Sequence, residues 1–268
     1  MTERLAGGKL LLDSPAEAVV RIRISNPERR NALDHEVLDA LAETLPRLDR
    51  GIETRCVLIT GAPPVFSAGY DIVSIPNETF ERDAEALVAH PFHAALEALA
   101  AHPWPTVAAI NGHCLGGGLE LAITCDLRIC ARGAKLGMPP AKLGLVYGHT
   151  GLRKFLDTIG LARTKELFLT GRSVEAPRAE QIGLVHEVVD DERLEDAAVG
   201  LAAEIAANAP ISMRGNKKAI DLLNACPMLT EQQEAGLVAL REACFSSEDL
   251  REGVQAFLEK RKPEWRGR

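Results

Sequence analysis

The sequence predicts an α/β fold with a helical C-terminal extension, and three observations support this prediction. Short apolar runs typical of buried strands alternate with stretches of helical periodicity through residues 18–189. Two glycine-rich turns follow such runs, at residues 66–72 and 111–120. Residues 201–268 are helical in pattern and carry no loop-rich motif. We therefore expect an α/β core over residues 1–200, which carries the functional site, and a helical region over 201–268.

The strand and helix patterns succeed one another in a regular order along the chain. The first strand alternates apolar and charged side chains, as a half-exposed strand does, whereas the following runs are continuously apolar and predict buried strands. Pro46 should kink or shorten the first helix, because proline lacks the amide hydrogen that a helix interior needs. The predicted strands are 18–24, 56–60, 106–110, 127–131 and 184–189, and the predicted helices include 37–48, 84–99 and 119–124.

Composition narrows the classes of function. The chain has 31 basic and 38 acidic residues, a net charge of −7, which argues against nucleic acid as a partner because phosphate binding relies on clustered Lys and Arg. Residues 106–125 are mostly apolar but contain Asn111, His113 and Glu120, which a membrane centre penalises, so we assign them to buried core and expect no membrane partner. The six cysteines have no zinc-site spacing, and the N-terminus lacks the apolar segment of a signal peptide. These features predict a cytoplasmic protein without a metal site.

The first glycine-rich turn follows a predicted buried strand, which is where α/β proteins place ligands. Small side chains at this turn would let a ligand approach the backbone and its free N–H groups. A serine-hydrolase turn would need glycine at position 65, where the chain has valine. A tight loop without a ligand is an equal alternative on these residues alone. The turn comprises Phe66-Ser67-Ala68-Gly69-Tyr70-Asp71-Ile72.

The second glycine-rich turn opens a predicted helix and contains Gly116, Gly117 and Gly118. Amides at a helix start have no partner within the helix and lie at the positive end of its dipole, so they can stabilise a developing oxyanion. Glu120 lies three residues after Gly117, on the same face of the first turn. A carboxyl group there suits proton transfer next to a carbonyl, although it can also serve only to complement the dipole. A dinucleotide-binding turn is excluded, because its third glycine is replaced by Leu121.

Taken in order, these segments resemble the crotonase superfamily, the enoyl-CoA hydratase/isomerase group. The resemblance covers nearly the whole chain. Each motif is modest alone, but the ordered set is specific. The motifs are Asn26-Pro27, Arg30-Asn31-Ala32-Leu33, residues 66–72, Asn111-Gly112, Gly116-Gly117-Gly118, Glu120-Leu121-Ala122, residues 125–129, Leu143-Gly144-Leu145 and residues 257–263.

The resemblance implies a crotonase-like spiral of ββα turns with a helical C-terminal region used in oligomerisation, assembled as a homotrimer or a dimer of trimers. It implies an acyl-CoA thioester as the substrate, with coenzyme A present as part of that substrate and no further cofactor. The amides matching Ala68 and Gly117 would form the oxyanion hole for a thioester enolate, and Glu120 would be the acid–base group. Further positions implied in substrate binding are Ser67, Tyr70, Asp71, Ile72 and Gly116.

Two positions depart from the usual hydratase pattern. The second glutamate of typical hydratases is replaced by Pro140, which has no acid–base group but would still line the substrate site. Tyr147 stands where hydratases usually have a proline. Together with Glu120, it resembles the pair of the methylmalonyl-CoA decarboxylase branch, in which loss of CO2 generates the enolate. Decarboxylation of a malonyl-type CoA and hydration or isomerisation of an enoyl-CoA stay equally open, and a packing role for Tyr147 is the alternative.

The phosphates of coenzyme A require a local basic patch on an acidic protein. Arg29 and Arg30 lie at the first family motif, and Lys260 and Lys262 belong to the tail 251–268, which has six basic and three acidic residues. The resemblance implies that this tail helps to cover CoA bound to a neighbouring subunit, whereas a solvated basic tail is the alternative. His113 and His149 flank the predicted site, and for both a structural role is the commoner expectation.

A hypothesis of another class is a catalytically inactive relative that binds RNA or acts as a scaffold. The missing second acid–base group is compatible with it. The net charge of −7 and the lack of a dense Lys/Arg helix argue against RNA binding. The presence of Glu120 on the oxyanion face favours an enzyme.

Overall fold

The computed structural model describes residues 2–49, 51–71, 88–226 and 230–268. Its strands are β1 (Glu3–Leu5), β2 (Leu10–Ala16), β3 (Val19–Ile24), β4 (Cys56–Gly61), β5 (Val65–Ser67), β6 (Thr106–Ile110), β7 (His113–Leu115), β8 (Leu127–Ala131), β9 (Lys135–Gly137), β10 (Val174–Glu175) and β11 (Glu187–Val189). Its α-helices are α1 (His35–Arg47), α2 (His93–Ala100), α3 (Gly117–Thr124), α4 (His149–Thr170), α5 (Ala176–Gln181), α6 (Leu194–Ala206), α7 (Pro210–Ala225), α8 (Glu231–Ser246) and α9 (Glu248–Glu259).

The strands form two sheets, and successive strands of the chain are added to both sheets in turn. The larger sheet has the order β1-β2-β3-β4-β6-β8-β11 and the smaller one β10-β9-β7-β5. Each turn of chain adds one strand to the larger sheet, one to the smaller sheet and then a helix, as in β6-β7-α3 and β8-β9-α4. The β4–β6 and β6–β8 pairs are parallel, as such crossover connections require. This arrangement is the spiral of ββα turns, so the predicted fold class is confirmed.

The central strands of the larger sheet are covered on both faces. Every residue of β4 and of β6 is buried. Parallel strands buried on both faces have continuous apolar runs instead of alternating ones. For this reason the predicted strands 106–110 and 127–131 coincide with β6 and β8.

The other predicted elements match less closely. Asp34 caps α1 by accepting a hydrogen bond from the Val37 amide, and Pro46 lies in the last turn of that helix. The helix predicted at 84–99 is observed as a π-helical turn at Val88–Phe92 followed by α2, and residues 84–87 lie outside the described residues. The strand predicted at 184–189 is shorter, and β11 begins at Glu187.

Helices α6 and α7 of the C-terminal region both contact the core. Helix α6 buries Ala198, Ala202 and Ala206 and packs across β4, β6 and β8. In α7, the Lys217 ammonium lies 2.6 Å from an oxygen of Asp126 at the end of α3. The predicted division at residue 200 falls within α6 and stays a prediction. Within the described part of the chain, none of the helices combines the length and the apolar character that crossing a membrane requires.

Candidate active site

The loop after β5 is held by a short parallel bridge to residue 33. The Leu33 amide donates to the Gly69 carbonyl at 2.8 Å, and the Asp71 amide donates to the Leu33 carbonyl at 3.2 Å. Backbone groups of successive extended residues point to opposite sides. The Tyr70 amide between them therefore points away from residue 33, and it donates to no described backbone group.

Ala68 and Ser67 are occupied by structural hydrogen bonds, which corrects their predicted roles. The Ala68 amide donates to the Arg30 carbonyl at 3.0 Å and is not a free oxyanion donor. The Ser67 side chain is fully buried, and its hydroxyl donates to the Asn31 carbonyl at 2.8 Å and accepts from the Gly69 amide at 3.1 Å. A side chain without exposed surface cannot contact a substrate. The free amide of this loop is that of Tyr70, two residues later than the sequence predicted.

The start of α3 supplies the second free amide. The Gly116 amide donates to the Gly137 carbonyl, and the Gly116 carbonyl accepts from the Leu119 and Glu120 amides at 3.0 and 3.1 Å. The Gly117 amide, at the first position of α3, donates to no described backbone group. A Cβ on Gly69 would lie 3.0 Å from the Gly117 nitrogen, so the two loops are in direct contact. The amides of residues 70 and 117 therefore lie on adjacent segments.

Glu120 and Tyr147 meet beside these amides. The Tyr147 hydroxyl donates to Glu120 Oε2 at 2.5 Å, and Glu120 is buried at 4% exposure. Burial raises the pKa of the Glu120 carboxyl group above its usual value, whereas the Tyr147 hydrogen bond and the Lys154 charge lower it. Burial also raises the pKa of Tyr147 well above its usual value, so its hydroxyl stays protonated and donates. The sequence-predicted pair is thus a direct hydrogen-bonded contact.

Tyr70 contacts the Glu120–Tyr147 pair from the side of Tyr147. Its hydroxyl lies 3.5 Å from the Tyr147 hydroxyl, and its ring contacts that of Phe92 edge to face at 4.6 Å between centroids. Burial raises the pKa of Tyr70. A Cβ on Gly117 would lie 2.8 Å from Cε1 of Tyr70, so the ring covers the start of α3.

Gly151 in the first turn of α4 makes the Glu120–Tyr147 contact possible. A Cβ at this position would lie 2.8 Å from both carboxylate oxygens of Glu120 and 2.7 Å from Cε1 of Tyr147. Only a residue without a side chain lets α4 approach the pair this closely.

A cavity of about 250 Å³ adjoins the pair. One wall is apolar and includes Phe92, Leu96 and Ala100, from the end of the π-helical turn and from α2. The cavity also carries polar and charged side chains: Tyr70, His93, Glu97, Glu120, Tyr147, Thr150 and Lys154. His93 Nε2 lies 2.9 Å from Glu97 Oε1.

Three of these charged residues were not predicted from the sequence. Lys154, His93 and Glu97 belong to no family motif. Lys154 could have been found from helical spacing, because Gly151 lies four residues after Tyr147 and Lys154 three residues after Gly151.

The remaining predicted positions lie around this centre or away from it. Pro140 is buried at the start of a 3₁₀ turn and is not among the described residues that line the cavity. Gly116 has φ +53° and shapes the turn before α3, and Asp71 is buried. Ile72 lies outside the described residues. Arg29, Arg30, His113, His149, Lys260 and Lys262 are exposed.

Comparison with known proteins gives one consistent result. The family model described as enoyl-CoA hydratase/isomerase matches residues 15–268. A putative enoyl-CoA hydratase/isomerase, YngF of Bacillus subtilis, is 37% identical over 97% of this chain and 99% of its own length. A 2,3-dehydroadipyl-CoA hydratase of Escherichia coli is 30% identical over 96% of this chain and 99% of its own length. The crystal structure of an enoyl-CoA hydratase from Bacillus anthracis is similar with a TM-score of 0.88 at 33% identity, covering 97% of this chain and all of that one.

Proposed function

Because the chain belongs to the enoyl-CoA hydratase/isomerase family, we propose that it decarboxylates a malonyl-type CoA thioester through an enolate. The observation that carries this proposal is the 2.5 Å hydrogen bond between the Tyr147 hydroxyl and Glu120. Tyrosine brings a neutral donor to the reacting centre at the place where a typical hydratase has no such group.

The two free amides are suited to stabilise the enolate. Decarboxylation leaves negative charge on the thioester oxygen, and the amides of Tyr70 and Gly117 are the donors we assign to it. Both lie on loops fixed by the backbone hydrogen bonds of residues 33 and 116. Preorganised donors of this kind are worth roughly 10²–10³ in rate each.

Tyr147 is suited to orient the carboxylate that leaves. Its pKa is raised by burial, so its hydroxyl is neutral. When Glu120 is protonated and donates to the Tyr147 oxygen, the single Tyr147 O–H is free to donate to the substrate carboxylate. The apolar wall at Phe92 and Leu96 favours a step in which a localised carboxylate charge is lost.

The proposed reaction balances without a further reactant. The bond between the α-carbon and the carboxylate breaks, CO2 leaves, and the electron pair forms the enolate. A proton from the Glu120–Tyr147 pair then adds to the α-carbon, and the product is the saturated acyl-CoA. Burial raises the pKa of Glu120, which favours the protonated carboxyl group that would supply this proton. The pair regains its proton from solvent.

Hydration or isomerisation of an enoyl-CoA is the second candidate, and one observation favours it. Glu97 is a second carboxyl group on the same cavity as Glu120, and hydration uses two such groups to handle one water. Relatives whose names are hydratases, including the 2,3-dehydroadipyl-CoA hydratase, support the same reading. Glu97 is 68% exposed and lies against His93, whereas Glu120 is buried.

A substrate panel separates the two reactions. Wild type, Glu120→Gln and Glu97→Gln would be given methylmalonyl-CoA, ethylmalonyl-CoA, crotonyl-CoA and 3-hydroxybutyryl-CoA. Decarboxylation predicts CO2 release that Glu120→Gln reduces and Glu97→Gln leaves unchanged. Hydration of crotonyl-CoA that falls in both variants, with no CO2 from any malonyl thioester, would establish the second candidate instead.

Binding of the CoA portion is proposed for the basic residues Arg29, Arg30, Lys260 and Lys262. Their exposure supports contact with phosphates. Replacing Lys260 and Lys262 with Ala should raise KM for the thioester with little change in kcat, and an unchanged KM would remove them from the site. The chain is proposed to act in the cytoplasm without a metal or redox cofactor.

Assembly as a homotrimer or a dimer of trimers is likewise proposed. On α9, Val254, Phe257 and Leu258 are 54%, 82% and 69% exposed, and such an apolar strip favours burial against another chain. Light scattering coupled to size-exclusion chromatography measures the mass, and a monomer would exclude both assemblies.

A further inference from the structure

Lys154 is joined to the helix that carries Glu120. The Lys154 ammonium donates to Thr124 Oγ1 at 2.7 Å, and the Thr124 hydroxyl donates to the Glu120 carbonyl at 2.8 Å. Thr124 is the last residue of α3 and Lys154 lies on α4. The positive charge is therefore fixed relative to the backbone of Glu120.

Among the residues that the structure describes, no carboxylate forms an ion pair with this ammonium within 4 Å. Lys154 is half-buried on the cavity wall. Burial lowers the pKa of Lys154, and Glu120, Cys125 and Glu97 act in the opposite direction. Of these three groups, Glu120 and Glu97 line the same cavity as Lys154.

We propose that Lys154 is a positioning residue that supplies the fixed counter-charge of Glu120 and so sets the ionised fraction of that carboxyl group at neutral pH. The proposal rests on the proposed function in so far as Glu120 is the acid–base group. A nearby positive charge favours the carboxylate, and it opposes the burial that favours the neutral acid. The counter-charge of Lys154 thus lowers the pKa of Glu120, which burial raises.

Other groups also face Glu120 and must be kept constant. Tyr147 donates to it from the loop before α4, and His93 acts on it from α2. Tyr70 contacts Tyr147 and also interacts electrostatically with Glu120. Glu97 faces Lys154 and would compete for its charge. None of these side chains is altered by a substitution at position 154.

The test measures the ionisation of Glu120 directly. The protein is labelled with glutamate carrying ¹³C at the carboxyl carbon, and the Glu120 signal is identified by its loss in Glu120→Gln. We expect Lys154→Met to raise the midpoint of the Glu120 titration by about 1 pH unit, and Lys154→Arg to leave it close to the wild-type value. Lys165→Met, which removes an exposed lysine from the same helix, is the matched control and should not move it.

Activity provides a second readout. The pH dependence of kcat/KM in Lys154→Met should move in the same direction as the Glu120 midpoint. If Lys154→Met does not fold, Lys154→Gln replaces it, because glutamine keeps a hydrogen-bond donor for Thr124. An unchanged Glu120 midpoint in a folded variant without the charge would overturn the proposal. If Glu120→Gln retains full activity while the midpoint still moves, the proposed function fails and the electrostatic role of Lys154 stands.

Discussion

The Tyr147 hydroxyl donates a 2.5 Å hydrogen bond to Glu120, from a position 27 residues further along the chain. A charge-assisted hydrogen bond of this kind contributes about 1.5–3 kcal/mol, and here it links a buried acid to a loop residue. The two side chains therefore form one hydrogen-bonded unit, whose parts can be tested separately.

Replacing Tyr147 with Phe removes the donor and keeps the ring that packs against Phe168. We expect kcat to fall by roughly 10- to 100-fold, because the bond is worth about 1.5–3 kcal/mol. The midpoint of the Glu120 titration should rise, since this bond lowers the pKa of Glu120. Steady-state kinetics and carboxyl ¹³C titration check both effects. Tyr70→Phe is the control, because the hydrogen bond of its hydroxyl to a described residue is the long 3.5 Å contact with Tyr147. An equal loss in both variants would contradict a specific role for Tyr147.

Gly151→Ala tests whether the close approach of α4 is required. The new Cβ would lie 2.8 Å from both carboxylate oxygens of Glu120, so the pair must move. Displacements of about 1 Å cost on the order of 10² in rate, and we expect a loss of that size in kcat/KM with an unchanged circular dichroism spectrum.

Gly148→Ala is the matched control for this substitution. A Cβ there would be 3.9 Å from its nearest neighbour, Thr150 Oγ1. It should retain activity close to that of wild type. Similar activity losses in the two variants would show that the effect comes from the backbone and not from the contact with Glu120.

Glu120→Gln should stabilise the fold at neutral pH. Because the folded-state pKa of Glu120 is raised by burial, its contribution to stability is fully present in acid and is lost as the pH rises through the folded-state pKa. Glutamine avoids burying a charge, so the variant should gain on the order of 1 kcal/mol in unfolding free energy at pH 8. Urea unfolding at pH 4 and pH 8 measures this gain, and a gain that is no larger at pH 8 would be inconsistent with the raised pKa.

His102 should make the fold sensitive to mild acid. Burial, together with the charge of Lys217, lowers its pKa from 6.5 to about 4. Its contribution to stability is therefore present above pH 6.5 and is lost as the pH falls towards 4, by at most about 3 kcal/mol. His102→Asn should flatten the unfolding free energy between these pH values, as measured by urea titration. The exposed His149→Asn should keep the wild-type slope; a wild-type slope in His102→Asn would refute the assignment.

Ser67→Ala tests the structural role found for that residue. It removes the hydroxyl that links the Asn31 carbonyl to the Gly69 amide. Leaving buried polar groups unpaired costs about 1–3 kcal/mol, so we expect that loss in unfolding free energy and a KM within twofold of wild type. A raised KM without a loss of stability would restore the predicted substrate contact.

How well the sequence predicts a strand depends on the length and the burial of that strand. Strands β6 and β8 were predicted at their observed bounds because continuous burial gives them uninterrupted apolar runs. The strands of the smaller sheet have two or three residues each, too few for any periodicity to show. They form only because neighbouring strands position them.

In the candidate site, too, the sequence predicts the features that depend on local structure and misses those that depend on tertiary contacts. Glu120 and Gly117 follow from the glycine-rich helix start, which is local. The direction of the amides near residue 68 depends on the bridge from residue 33, a tertiary contact that the loop sequence does not contain. For that reason the sequence predicts the Ala68 amide as the oxyanion donor, whereas in the structure the free amide is that of Tyr70. The helical spacing from Gly151 could have placed Lys154 on the cavity, but its contact with Thr124, thirty positions earlier, is tertiary and is not visible in the sequence.

The walls of the cavity differ in how well they should tolerate amino-acid substitutions. The α4 face is fixed, because any side chain at Gly151 would enter the Glu120–Tyr147 contact. Phe92 is fixed as well, since its ring supports Tyr70. Leu96 and Ala100 on α2 also line the cavity. If the cavity holds the acyl group, as the proposed function requires, a library that changes the size of the accepted acyl chain should begin at those two positions and leave the opposite wall unchanged.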